Sequence, residues 1–399
     1  MQALGSKPGE ARSVVLGVSP LAVGLGFFQV AIAVYLPLEG MSVTELGAIF
    51  TTFGLATVAF SIPFAIISDR YGRKKLMLAG SILASFVTMA PGLTSSFLLL
   101  EAVGVVGGMG EAMFLSTWNA YLADATPEGE RPAIFSLSFM TFTIASGAGS
   151  FLPVLFPFLP VDLLSAHRIM FVVLGIISFA TVLSVQRWAR DRKPAKSKRG
   201  ILPRKSIKII AKFSAANLMI GLGAGLIIPL IPTWFYLRFN ETDVFSGPLI
   251  AVSNIAMGLA AVASPAIARR RGLVGGIVIT QLLSTIFLLA VPFSPTAPIA
   301  GVVYVIRAML MNMSSPLGDT FLMNLIAEDE RATASSFNVV IWRLPNAAST
   351  VVGGALLNSG NLSLPFYLCT ALYVASISLF YAMFRGTDRQ QQANSVSSP

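Results

Sequence analysis

The chain has 399 residues, of which 55% are hydrophobic and only 12% charged, against about 25% charged in an ordinary soluble domain. Water is therefore not its main solvent, and the length holds about twelve apolar spans of roughly 20 residues each. The formal net charge of +10 does not signify a nucleic-acid partner, because the basic residues flank apolar runs, and a single cysteine, Cys369, excludes a disulfide framework and a cysteine metal site.

Apolar runs at about 14–38, 43–68, 76–95, 97–122, 133–156 and 169–187 predict six membrane-spanning helices. The first follows Lys7 and Arg12 as a signal peptide would, but it is too long and has no small-residue cleavage site, so it reads as a retained span. Six more runs lie at about 209–235, 244–268, 273–293, 297–326, 332–357 and 365–384. The predicted organisation is a first half over 1–187, a basic linker over 188–208, a second half over 209–385 and a polar, disordered tail over 386–399. The linker includes Arg190, Arg192, Lys193, Lys196, Lys198, Arg199, Arg204 and Lys205. It serves as a topology anchor and lies where anionic lipid headgroups attract basic residues by about 1 kcal/mol each.

Basic residues gather on the cytoplasmic side of spans. With the first residue inside, Arg168 and Arg238 fall outside and Arg307 and Arg343 fall within spans, which leaves 24 of the 28 Lys and Arg inside. The expected fold is thus an all-α membrane protein of twelve transmembrane helices in two pseudo-symmetric six-helix bundles, with both termini cytoplasmic.

An offset of 200 residues superimposes the halves. Arg70 and Gly72 match Arg270 and Gly272; Glu128, Glu130 and Arg131 match Glu328, Glu330 and Arg331; Met113 and Leu122 match Met313 and Leu322. Duplication of a membrane unit points to transport.

The loop after the second span reads AIISDRYGRKKLML, from Ala65 to Leu78. It resembles the inner-loop signature of the major facilitator superfamily, with Asp69, Arg70, Gly72, Arg73 and Lys74 in register and Ala65 where that family has glycine. The segments NAYLADATPEGER and FLMNLIAEDER, ending at Arg131 and Arg331, are similar to its other inner loops. The resemblance implies a cytoplasmic gate in which Asp69 caps a helix of the opposite half. Arg70, Arg73, Glu130, Arg131, Glu330 and Arg331 form the charge network around it, and Gly72 makes the tight turn. In the second half the stretch is Arg269-Arg270-Arg271-Gly272-Leu273, without the acidic member or the final arginine. Two marks of the family's drug exporters are also absent: Gly104 stands at the span-4 arginine, and SGAGSFLP replaces the glycine-rich span-5 motif.

Ionisable groups within spans are functional hypotheses by default. Glu101 is about one turn inside span 4, within reach of the interface, whereas Glu111 lies roughly 21 Å down the same helix. Arg307 and Arg343 lie roughly 15 to 17 Å inside spans 10 and 11. The resemblance places all three mid-depth charges beside a central cavity. The expectation is that Glu111 binds a coupling proton, and that Arg307 or Arg343 either pairs with it or holds an anionic part of the solute; a fixed structural ion pair is the alternative. Gln29, Asn217 and Asn312 are candidate hydrogen-bonding groups of the cavity, and Phe27, Phe28, Tyr35 and Trp234 are candidates for stacking on an aromatic solute or for the interfacial belt. His167 is expected solvated in an outer loop.

The predicted protein is a multi-pass transporter of the plasma membrane that moves a small organic solute by alternating access, with proton-coupled efflux as the expected mode. An organic-anion symporter or exchanger, and a solute receptor without turnover, are the alternatives. The expected partners are a small-molecule substrate, protons and membrane lipids; the chain is expected to act as a monomer, without enzymatic activity, cofactor or metal, on the energy of a proton gradient.

Overall fold

The computed structural model describes residues 9–190, 206–326 and 330–386. The linker over 191–205, the tail over 387–399, Glu328 and the side chain of Arg331 lie outside the described residues. Among the described residues there is helix and connecting turn but no strand.

In chain order the α-helices are α1 (Glu10–Gly17), α2 (Ser19–Leu38), α3 (Val43–Tyr71), α4 (Arg73–Leu93), α5 (Phe97–Ala125), α6 (Arg131–Phe151) and α7 (Leu163–Trp188). There follow α8 (Ile207–Ile227), α9 (Ile231–Phe239), α10 (Asp243–Ala290), α11 (Ala297–Leu325), α12 (Arg331–Asn358) and α13 (Leu364–Phe384). Eleven stretches among the described residues are long and apolar enough to cross a membrane. The pairs α1–α2 and α8–α9 each supply one, and α10 supplies two. At the predicted eleventh span α12 is helical, but Arg343 and several polar residues make it less apolar, and it is not among the eleven.

Two α-helices end at prolines, which lack the N–H that continues a helix. Thus α6 passes into a 3-10 turn at Leu152–Phe158 holding Pro153 and Pro157, and α8 is divided from α9 by Ile228–Leu230, which contains Pro229. Between α3 and α4, Gly72 adopts φ 100°, and at the equivalent point of α10 Gly272 adopts φ 74°. The sequence repeat therefore reproduces one left-handed backbone turn at each site, a conformation that favours glycine.

The chain forms two compact units, one of Met1–Ser197 with Asn240–Ala251 and the other of Lys198–Phe239 with Val252–Pro399. The first nine residues of α10 belong to the first unit, and the rest of that helix to the second. In the first unit α2 packs on α6 and α7, α3 on α5, and α4 on α5 and α7; in the second, α8 packs on α12 and α13. Lipid tails are as apolar as leucine, so close backbone approach and van der Waals packing hold such helices together. A Cβ on Gly26 would collide with the Ser146 carbonyl and one on Gly149 with the Val23 carbonyl, joining α2 to α6. Gly225 and Gly353 bring α8 and α12 together in the same way, against Asn346 and Leu226.

Candidate solute and proton sites

The second unit contains a cavity of about 520 Å³, within the usual range for small-molecule sites. Its polar lining includes Asn217 on α8, Gln281 on α10, Arg307, Asn312 and the acidic Asp319 on α11, Asn338 and Arg343 on α12, and Tyr373 on α13. Four residues singled out in the sequence, Arg307, Arg343, Asn217 and Asn312, are thus brought to one place. Arg307 is 4% exposed. Its Nη2 donates to the Tyr373 hydroxyl at 2.9 Å, and its guanidinium carbon lies 5.7 Å from the centre of the same ring. Its Nε is buried without a hydrogen-bond partner, and it forms no ion pair among the described residues. Ser284 donates to the Arg307 carbonyl at 2.9 Å and fixes the backbone beneath the side chain. A buried guanidinium that lacks a counter-charge carries a large desolvation cost, which an entering anion relieves.

Asp319, exposed on the same helix as Arg307, and neutral hydrogen-bonding groups complete the lining. Asn217 donates to Asn338 Oδ1 at 2.5 Å, Gln281 to Ser314 Oγ at 3.2 Å, and Asn312 to the Ala308 carbonyl at 2.9 Å and to Met257 Sδ. Gln281 and Asn338 give the same signal in sequence as Asn217, a polar amide inside an apolar run. Tyr373 gives none, since tyrosine in a span ordinarily reads as packing.

Glu111 lies in the first unit, on α5, where Thr57 Oγ1 stands 2.8 Å from its Oε2. The same hydroxyl lies 3.0 Å from the Phe53 carbonyl. Gln29 is exposed on α2 and does not line the second unit's cavity. Glu101 is half-buried and accepts a hydrogen bond from Thr52 on α3.

The residues expected to form a gate divide unequally. Arg73 is an ion-pair partner of Asp124 at 3.1 Å and of Asp69 at 3.8 Å, with Arg73 largely buried and Asp69 69% exposed. Arg70 is exposed, with its guanidinium 5.4 Å from the Tyr71 ring centre. Glu130 is exposed, whereas Arg131 donates to the Ala123 carbonyl at 3.2 Å. Glu330 is buried and accepts from the Ser206 backbone N–H at 2.8 Å.

Two sequence expectations are corrected. Phe27, Tyr35 and Trp234 have no exposed surface. Phe27 packs edge-on to Phe156 and Phe171, and Trp234 donates to the Leu362 carbonyl at 2.9 Å while packing on Phe235 and Phe366. They are internal packing groups. Phe28 is half-buried against Phe171. His167 is not in a loop: Asp162 caps α7 by accepting from the Ser165 N–H at 3.0 Å, so the helix starts before the apolar run does. The histidine is fully buried, 2.8 Å from Asp243.

Apolar helices in two units, with a polar cavity inside one bundle, define an integral membrane protein built to carry a solute. The Major Facilitator Superfamily family model matches residues 14–350. The chain belongs to that superfamily of transporters.

Among relatives, an uncharacterized MFS-type transporter of Methanocaldococcus jannaschii is 29% identical over 133 residues, 33% of this chain and 34% of that protein. Multidrug resistance protein 1 of Bacillus subtilis is 23% identical over 393 residues, 94% of this chain and 97% of that one. The probable sulfoacetate transporter SauU of Cupriavidus necator is 27% identical over 188 residues, 46% of this chain and 42% of its own. The crystal structure of the nucleoside transporter NupG superposes with a TM-score of 0.76 at 14% identity, covering 94% of this chain and 99% of that one; this likeness shows the fold.

Proposed function

We propose that this chain is a multi-pass transporter of the plasma membrane, with twelve spans and both termini cytoplasmic. It moves a small organic solute by alternating access, and Arg307 holds an anionic group of that solute. The observation that carries this reading is the buried guanidinium, lining a cavity of small-molecule size without an ion pair among the described residues. Arg343, Asn217 and Asn312 line the same cavity and supply further hydrogen bonds.

Glu111 carries the coupling proton. Thr57 has one hydroxyl proton and two acceptors in reach. It donates to an ionised Glu111, or it donates to Phe53 and accepts from a protonated one, so both charge states are accommodated. Efflux is the direction we assign, supported by the nearly full-length alignment to a protein named for multidrug resistance. Uptake or exchange of an organic anion is the second reading, favoured by Arg307 itself and by the partial likeness to a probable sulfoacetate transporter.

Labelled organic acids and their neutral analogues, offered to proteoliposomes with and without an imposed pH gradient, test the assignment. Arg307→Lys keeps the charge and loses the planar fork. A charge-assisted hydrogen bond contributes about 1.5 to 3 kcal/mol, so this variant should weaken apparent affinity for acids by about ten- to a hundredfold and leave neutral analogues unaffected. Equal loss for both classes refutes the anion role. Retained binding with zero flux of every solute indicates a receptor.

A further inference from the structure

His167 and Asp243 both have 0% side-chain exposure. The imidazole Nδ1 lies 2.8 Å from the Leu163 carbonyl, and Nε2 lies 2.8 Å from Asp243 Oδ2. A carbonyl oxygen only accepts, so Nδ1 carries a proton. At the second contact a hydrogen bond requires one proton more, on either Nε2 or Oδ2. The dyad therefore holds one proton beyond a neutral imidazole facing an ionised carboxylate. Without it, whichever tautomer forms leaves two lone pairs facing each other at one of these contacts, together with an uncompensated buried negative charge.

Other charges nearby are already engaged. Tyr35 stacks on the imidazole with ring centres 5.4 Å apart and Phe156 meets it edge-on at 4.6 Å. The Tyr35 hydroxyl accepts from Arg168, which pairs with Glu39 at 2.9 Å. Burial raises the proton affinity of Glu39, but hydrogen bonds from Arg168 and Ser95 outweigh it and hold this carboxyl below the usual glutamate range. Asp162 is occupied in capping α7, and Glu241 lies in the turn before α10. Asp243 Oδ1 and the neighbouring Ser246 Oγ are buried without hydrogen-bond partners among the described residues. Compensation for the Asp243 carboxylate thus comes from His167 and from the N-terminal dipole of α10.

Asp243 is the first residue of α10, the helix that begins in the first unit and continues in the second. One turn further on, a Cβ on Gly247 would collide with the Ser150 carbonyl of α6. The opening turns of α10 are therefore docked closely on α6 and held to α7 by the dyad.

We propose that His167 and Asp243 form a proton-operated latch: the protonated dyad fastens the first turns of α10 to α7, and loss of its proton to water releases them. Neither side chain touches solvent, so the proton leaves only as the helix end moves, and on the topology proposed above it leaves toward the outer side. This gives the transporter a second proton site, separate from Glu111. Its bearing on flux rests on the alternating-access reading, whereas its test does not.

Amide hydrogen exchange of residues 243–251 is to be followed by mass spectrometry on the full chain in detergent, from about pH 5.5 to 8.5, with rates corrected for the chemical pH dependence. One-proton linkage predicts that opening rises about tenfold per pH unit across the range in which the proton leaves. In Asp243→Asn the amide donates to a neutral imidazole, so the bond needs no extra proton and opening stays low and flat. His167→Gln, whose amide donates to Asp243, should be flat as well and serves if the first variant fails to fold. Flat exchange in the wild type, a wild-type slope retained in either variant, or opening raised at every pH in Asp243→Asn overturns the proposal. None of these readouts needs a solute, so an error in the solute assignment leaves them unaffected.

Discussion

Thr57 connects two acceptors, Glu111 and the Phe53 carbonyl, through a single hydroxyl, and the proposed coupling role of Glu111 rests on this contact. Glutamine at 111 keeps an acceptor for Thr57 but cannot gain or lose a proton. Glu111→Gln should therefore reduce flux driven by an imposed pH gradient at least about tenfold, while exchange of solute without a gradient continues; proteoliposome assays of the two modes side by side decide it, and unaltered gradient-driven flux removes Glu111 from coupling. Charges of this kind were legible in the sequence because a charge in an apolar run has no ordinary explanation. Tyr373 was not, since its role depends on Arg307 lying against it in three dimensions. His167 was misplaced because hydropathy locates the apolar part of a helix, whereas Asp162 starts α7 several residues earlier through a cap.

Among elements, the apolar runs correspond to helices, eleven stretches among the described residues being long and apolar enough to cross a membrane, and prolines and glycines explain where runs and helices differ. The first run proved to be two helices, α1 and α2, with Val18 between them and Pro20 in the first turn of α2. Gly26 and Gly149 stand in apolar runs with nothing in the sequence to show the partner backbone each one meets. Their substitution offers a test of helix packing as the source of stability. Gly149→Val should lower stability by about 1 to 3 kcal/mol, the usual cost of forcing side-chain atoms into a packed site. Gly258→Ala, where a Cβ meets nothing within 4 Å, should have no such cost and gains up to about 1 kcal/mol in helix propensity. Thermal unfolding in detergent, followed by size-exclusion of the heated protein, compares them, and equal behaviour of the two variants rejects close backbone approach as the cause.

At the scale of the molecule, the repeat conserves backbone while the chemistry diverges. Gly72 and Gly272 keep the same turn, yet Arg73 joins Asp69 and Asp124 in a charged network whereas Leu273 packs on an apolar cluster that includes Phe213, Phe321 and Phe380. Glu130 is exposed and its counterpart Glu330 is buried on the Ser206 N–H. The charged network lies in the first unit and the cavity in the second, so on the function proposed above gating and binding should be separable by mutation. If the Asp69–Arg73–Asp124 network governs exchange between conformations, Arg73→Gln should slow transport by about tenfold or more, because conformational steps set turnover in many carriers and enzymes. Solute affinity measured at equilibrium in detergent should stay within about twofold, since no residue of the network lines the cavity. A matching loss of affinity would show instead that the network shapes the solute site, and unchanged transport would assign it to topology alone.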